Sequence, residues 1–247
     1  METLLYIDIE TIPAQRQDIL ADIRASKQQE LDQAIATVRA PSNYGADAAA
    51  KWMTEKGAAQ IADLRAIFES DVDEAYRKTS LDGAFGQICV IGWALNDEQP
   101  KTVHGMDEHN VLRAFGDSLV IPRSSHFTTC VVGHNVSAFD LRFLAQRHIV
   151  NGIRPPMVIA RAAQAKPWEV EKVFDTMVQW SGVGSRITLD KLCKALGVKS
   201  PKGDIDGSKV WDAVQTGRLV EVADYCARDV EAVRQIHLRM TYQVEQA

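Results

Sequence analysis

The order of elements in this chain predicts an α/β fold, a mixed sheet of about five strands flanked by helices. Three observations carry that expectation. Apolar runs of β type recur at about 3–10, 87–95, 101–106, 128–135 and 172–177. The second and third are joined only by the turn "NDEQ", so the first three strands are expected to run antiparallel. The later strands alternate with helical patterns, and helices close the chain.

The first strand lies within "LLYIDIETIP", residues 4–13. From Pro13 to about residue 80 the pattern becomes helical. Leu20, Ile23, Leu31, Ile35 and Val38 approximate one helical face, and Ile61, Leu64 and Phe68 another, with "APSNYGAD" breaking the two. This stretch, about 14–80, reads as a helical insertion, an arm or a lid, within a single domain spanning 1–247. After it come the strand "QICVIGWAL", the paired strand "KTVHGM" and the short helix "DEHNVLRAFGDSL". "TTCVVGHN" is the next strand and "SAFDLRFLAQRHIV" the helix that follows at once. "KVFDTM" is the last strand, and "TLDKLCKALG", "GSKVWDAVQTG" and "RLVEVADYCARDVEAVRQIHLRM" are the closing helices.

Composition narrows the functional classes. Hydrophobic content of 46% with 25% charged residues describes an ordinary globular protein with a sizeable core, not a disordered one. No apolar run reaches the ~18 residues of a membrane helix. The N-terminus opens on a strand and not on a basic-then-apolar leader, so neither membrane insertion nor export is expected. Four cysteines, none in a C-x-x-C pair, make a zinc site improbable and suit a reducing compartment, hence a cytoplasmic location. The net charge of −5 is unusual for a nucleic-acid binder. Residues 147–209, however, hold eleven Lys and Arg against six Asp and Glu. A basic segment on an acidic body suits contact with an anion, as it suits a plain solvated surface. No Walker loop, G-x-G-x-x-G or G-x-S-x-G is present. "DIDGSKVWD" places its glycine fourth, not sixth, so it is not an EF-hand loop.

Three places carry acids where the pattern calls for apolar or neutral residues. Asp8 and Glu10 alternate with Ile9, so both point to one face of the first strand. Two carboxylates about 7 Å apart repel by roughly 2 kcal/mol at an effective dielectric near 20. Something positive should compensate, either Lys or Arg partners or an ion. Asp140 follows a strand end, where ligands often bind in open α/β sheets. The bland alternative is a capping box, since Ser137 and Asp140 fit S-x-x-D before an apolar helical run. In the last helix Leu219, Val222, Cys226, Val230 and Val233 form a core stripe, with Tyr225 and Asp229 side by side on the strip next to it.

In order, these are D-x-E on the first strand, N-x-x-x-x-D after a later strand and Y-x-x-x-D in the last helix. Through "YIDIETIP", "GHNVSAFDLRFL" and "YCARDVEAV" the chain resembles the DEDDy class of 3′–5′ exonucleases, on the ribonuclease H-like fold. It is most similar to stand-alone exonucleases akin to the proofreading domain of family-B DNA polymerases, and "KGDIDGSKVWDAV" also looks like a segment of that group. The resemblance implies hydrolysis of single-stranded or frayed DNA 3′ ends to mononucleotides with two Mg²⁺ or Mn²⁺ ions. It implies Asp8 as the bridge between the metals, Glu10 and Asp229 on the metal that binds the attacking water, and Asp140 in support of the second. Tyr225 would orient the water. The histidine subclass would have its histidine where Asp224 stands. Nucleic acid, with repair or replication proteins, would be the partners.

The chemistry explains the residue types. Phosphodiester hydrolysis needs more than the ~3–5 kcal/mol a single general base contributes. Two hard cations can activate water, neutralise phosphate and stabilise the leaving oxygen, and hard cations take carboxylate oxygens. Tyrosine, with an ordinary pKa of ~10, suits positioning better than proton abstraction. Candidate substrate contacts are the backbone of Thr11 and Ile12, Asn135 at the strand-to-helix bend, and Lys166 with Trp168 as a stacking pair, although a packed surface Trp fits the same sequence. Asp175, which follows a strand in "VFDTM", reads as structural, with a supporting role at the site as the alternative. Rival readings are an RNA-trimming exoribonuclease of the same fold, a non-catalytic nucleic-acid-binding module, and an interaction scaffold.

Overall fold

Strand β1 (Thr3–Ile12) is the axis of a five-stranded sheet with β2 (Gln87–Leu95), β3 (Lys101–His104), β4 (Thr129–Gly133) and β5 (Val173–Asp175), in the order β3-β2-β1-β4-β5. A computed structural model of the chain describes residues 3–243. Two units can be separated, one built from the residues up to Ile12 with those from Asp82 onward, the other from Pro13–Leu81. The sheet belongs to the first.

The first three strands are antiparallel, as expected, whereas β4 is parallel to β1 and β5 to β4. Connection lengths account for this. A tight turn suffices between β2 and β3, whereas β4 reaches β5 through the helices α6 (Asp140–Val150) and α7 (Met157–Ala162), the long crossover that parallel pairing requires. Alternation along β1 sends Leu5, Ile7 and Ile9 to one face, where they pack with side chains of α5 (Glu108–Ser118), α6 and α7. Tyr6 and Ile12 point to the other, against α10 (Val210–Gln215) and the long α11 (Leu219–Met240). Helix α9 (Leu189–Leu196) packs against α11 on that side.

Several boundaries differ from the sequence expectation. Strand β1 continues to Ile12 because a β-bulge between Glu10 and Thr11 lets pairing with β2 resume. The strand expected at 172–177 stops at Asp175, whose carboxylate accepts the N–H groups of Met177 and Val178 and so caps α8 (Thr176–Ser181). Neither α7 nor α8 was expected; at six residues each, they are too short for a helical period to emerge. Strand β4 ends at Gly133. A Cβ there would meet that of Val136 at 2.5 Å, so only glycine lets the chain fold back this tightly.

The second unit is helical: α1 (Gln17–Thr37), α2 (Ala46–Trp52), a π-helical turn (Met53–Gly57), α3 (Ala58–Ala66) and α4 (Phe68–Lys78), with a closing 3₁₀ turn. Helix α1 packs against α3 and α4. Its inner face begins at Ile19, which is buried; Leu20, expected on that face, is exposed. Among the described residues no helix is long and apolar enough to cross a membrane.

Candidate active site

Asp8 and Glu10 lie on the face of β1 that α11 covers. Helix α11 buries Val222, Cys226, Val230 and Val233 against the sheet, and Tyr225 and Asp229, one position before Cys226 and Val230, are buried with them. Close approach depends on Gly92, the β2 residue opposite Asp8; a Cβ there would stand 2.8 Å from the Cys226 sulfur. The Cys226 Sγ donates to Asp8 Oδ2 at 3.3 Å. Ligand-capable atoms of Asp8, Glu10 and Cys226 all lie within 4.8 Å of one another. The neighbourhood of Cys226 was missed in the sequence, since a core-stripe cysteine gives no sign of which strand residue it will meet.

Asp140 arrives from a third element. It is the first residue of α6, preceded by Phe139 as N-cap with no side-chain cap, so the Ser137–Asp140 capping box does not form. Instead Asp140 Oδ1 accepts the backbone N–H of Ile9 at 3.1 Å, which ties this acid to the residue between Asp8 and Glu10. The Ser137 N–H is taken by Asp175 Oδ2 at 3.0 Å, and that of Asn135 by Asp175 Oδ1 at 2.9 Å. Asp175 therefore braces the loop between β4 and α6 as well as capping α8. Asn135 is left-handed (φ 61°), a conformation that asparagine tolerates.

The electrostatics of this cluster are unusual. Glu10, Asp140 and Asp229 are only 7%, 4% and 6% exposed. Burial, and then the charges of Asp229, Glu10 and Asp140, raise the Asp8 carboxyl well above its ordinary range. Burial and then Asp229 and Asp140 do the same to Glu10. Burial lifts Asp140 to about 7 against the opposing pull of two backbone N–H groups. It also lifts Asp229 to about 7, although the Tyr225 hydroxyl and Arg228 draw it down. The Tyr225 hydroxyl is itself pushed up strongly, by burial and then by Asp229 and Glu10. Among the described residues no Lys, Arg or His forms an ion pair with any of the four acids. Asp229 Oδ1 is buried with no hydrogen-bond partner. A set of hard carboxylate oxygens, one of them orphaned, fits divalent cations such as Mg²⁺ or Mn²⁺.

The remaining candidates are dispersed. Thr11 and Ile12 follow the bulge, with the Ile12 side chain in the core. Lys166 stands 5.4 Å from the centroid of the Trp168 ring, and Trp168 is 72% exposed, not packed.

A family model described as a predicted 3′–5′ exonuclease related to the exonuclease domain of PolB matches residues 84–246. This chain belongs to that family. The match includes Asp140, Tyr225 and Asp229 and begins after Asp8 and Glu10, which the fold brings to the same place. No curated protein matches. The solved family B DNA polymerase from the hyperthermophilic archaeon Pyrobaculum calidifontis matches with a TM-score of 0.55 and 15% identity, over 98% of this chain and 25% of that one. That likeness is one of fold, and the present chain spans about a quarter of the polymerase's length.

Proposed function

We propose that this chain is a divalent-metal-dependent 3′–5′ exonuclease that releases mononucleotides from single-stranded or frayed DNA 3′ ends. One observation supports this above the rest: four carboxylates from β1, α6 and α11 share a cluster in which, among the described residues, no basic side chain is paired with them. In this reading Asp8, Glu10, Asp140 and Asp229 hold two Mg²⁺ or Mn²⁺ ions. Such a pair, when bound, would activate water and offset the charge on the phosphate and the leaving 3′ oxygen.

The chain's own groups do the positioning. The Ile9 N–H keeps Asp140 turned to β1. Tyr225, whose hydroxyl is driven far from ionisation, stays protonated and orients the attacking water without removing its proton. Asp175 holds the loop that presents Asn135 toward the terminal nucleotide, while the backbone at Thr11 and Ile12 lines the approach from β1. The exposed Trp168 beside Lys166 offers a stacking surface for the strand. The whole chain acts as one exonuclease domain, with Pro13–Leu81 as an arm for the strand or for repair and replication proteins.

The test compares wild type with Asp8→Ala on 5′-labelled single-stranded DNA, 3′-recessed duplex and RNA, with Mg²⁺ or Mn²⁺. The expected result is a ladder from the DNA 3′ end that both the substitution and a chelator abolish. Equal degradation with chelator present would overturn the metal dependence, and faster RNA trimming would overturn the choice of DNA.

A further inference from the structure

A cavity of about 370 Å³ lies among the β4–α6 loop, α7 and the segment after β5. That is within the size range of small-molecule sites, about 300–1,000 Å³. Its wall includes the apolar Ala162, Val173 and Met177, and Arg142, Lys166 and Arg186 carry the charge. All three cations are exposed. Among the described residues, neither Arg142 nor Arg186 has an ion pair or a side-chain hydrogen bond. The acid in the lining, Asp175, is occupied by four backbone N–H groups. The cavity thus sets three exposed cations against the single carboxylate of Asp175, in a chain of net charge −5.

It is joined to the acid cluster through the chain. Asn135 lines it, the same loop ends at Asp140, and the charge of Asp175 is felt at Asp140. An apolar wall beside cations matches a nucleoside phosphate: a base against the wall, phosphates on the planar guanidinium forks. We infer that this cavity takes an internal nucleotide of the substrate strand, upstream of the bond that is cut, with Arg142 and Arg186 on its phosphates. The inference rests on the proposed exonuclease function and adds to it a second grip that favours strands over the smallest esters.

The experiment measures kcat/KM for a ten-nucleotide oligo(dT) and for the p-nitrophenyl ester of thymidine 5′-monophosphate, which has no upstream nucleotide. Arg142→Ala/Arg186→Ala is compared with wild type and with Arg113→Ala, which removes an exposed cation on α5. The double variant should lower the oligonucleotide-to-ester ratio about 10- to 100-fold. It should also flatten the log–log salt dependence on the oligonucleotide by roughly 1.4, the slope for two phosphate contacts on a single strand. The control should leave the ratio as in wild type. An unchanged ratio in the double variant, or an equal fall in the control, would overturn the inference. If wild type hydrolyses neither substrate, it is the exonuclease reading that fails. Anisotropy of labelled oligo(dT) in chelator then decides the cavity: about tenfold weaker binding by the double variant supports it, and equal binding overturns it. Displacement by free thymidine 5′-monophosphate at the oligonucleotide's own affinity would assign the cavity to a free nucleotide and overturn the strand.

Discussion

Glu108 and Asp229 are equally buried, each 6% exposed, yet their surroundings are opposite. Glu108 accepts the Ile88 N–H at 2.7 Å, Arg147 Nε at 2.9 Å and Nη2 at 2.7 Å, and Asn151 Nδ2 at 2.7 Å. Arg147 Nη1 donates to the carbonyls of Gly83 and Ala84. Every charge in that network has a partner inside the protein. Asp229 keeps one oxygen without a partner and stands among three more acids. Burial alone therefore does not distinguish a structural acid from a functional one. The distinction is whether the fold supplies the counter-charge or leaves it to come from outside.

The widest separation should come from Asp229→Asn. This change keeps the side-chain shape and removes a charge, and kcat/KM on single-stranded DNA should fall by about 10³-fold or more, at least ~4 kcal/mol. In chelator the same variant should be no less stable than wild type, because a buried like charge has gone; activity within tenfold of wild type would erase the contrast. Arg147→Met is the mirror experiment. It strands Glu108 and should cost about 3–5 kcal/mol in urea unfolding, while the folded fraction keeps its activity. A cost below ~1 kcal/mol would mean that the network is not structural.

Tyr225→Phe should have a smaller effect. Losing a water-positioning hydroxyl should slow hydrolysis about 10- to 100-fold, ~1.4–2.7 kcal/mol, with Mn²⁺ affinity by calorimetry close to wild type. The gentlest probe is pH. Without metal, the raised carboxyls bind more protons in the native than in the unfolded state from about pH 4 upward, so stability falls as pH rises toward and past 7. His237, held near 4 by burial, opposes this only below its ordinary ~6.5, where the unfolded chain takes up its proton. Unfolding free energies from urea titrations in chelator should therefore drop between pH 6.5 and 8, by about 1.4 kcal/mol per pH unit for each carboxyl that stays protonated in the native state, and Mg²⁺ should remove the drop. A rise over that interval would contradict the cluster's electrostatics.

Much of this was legible along the chain because its signals are local. Alternation over Leu5 to Glu10 placed both acids on one face, and the α11 stripe placed Tyr225 and Asp229 beside the core. Other features were hidden for equally physical reasons. Ser137-x-x-Asp140 satisfies the chemistry of a capping box, but the competing Ile9 and Asp175 partners sit on other strands. Helices α7 and α8 are shorter than two turns, and the bulge after Glu10 is set by pairing with β2 and not by its own residues.

Sequence by itself determined which residues carry charge, the strand and helix faces they occupy, and the order in which they come, since periods of 2 and 3.6 are properties of neighbours. Tertiary structure alone decided that β4 lies parallel beside β1, that α11 packs across β1 and β2 with Gly92 of β2 beneath Cys226, and that positions more than two hundred residues apart share one small volume. Only that enclosure buries Glu10, Asp140 and Asp229 beside the half-buried Asp8 while bringing, among the described residues, no Lys or Arg to pair with them. It turns ordinary acids into a group whose charge has to be met from outside the chain.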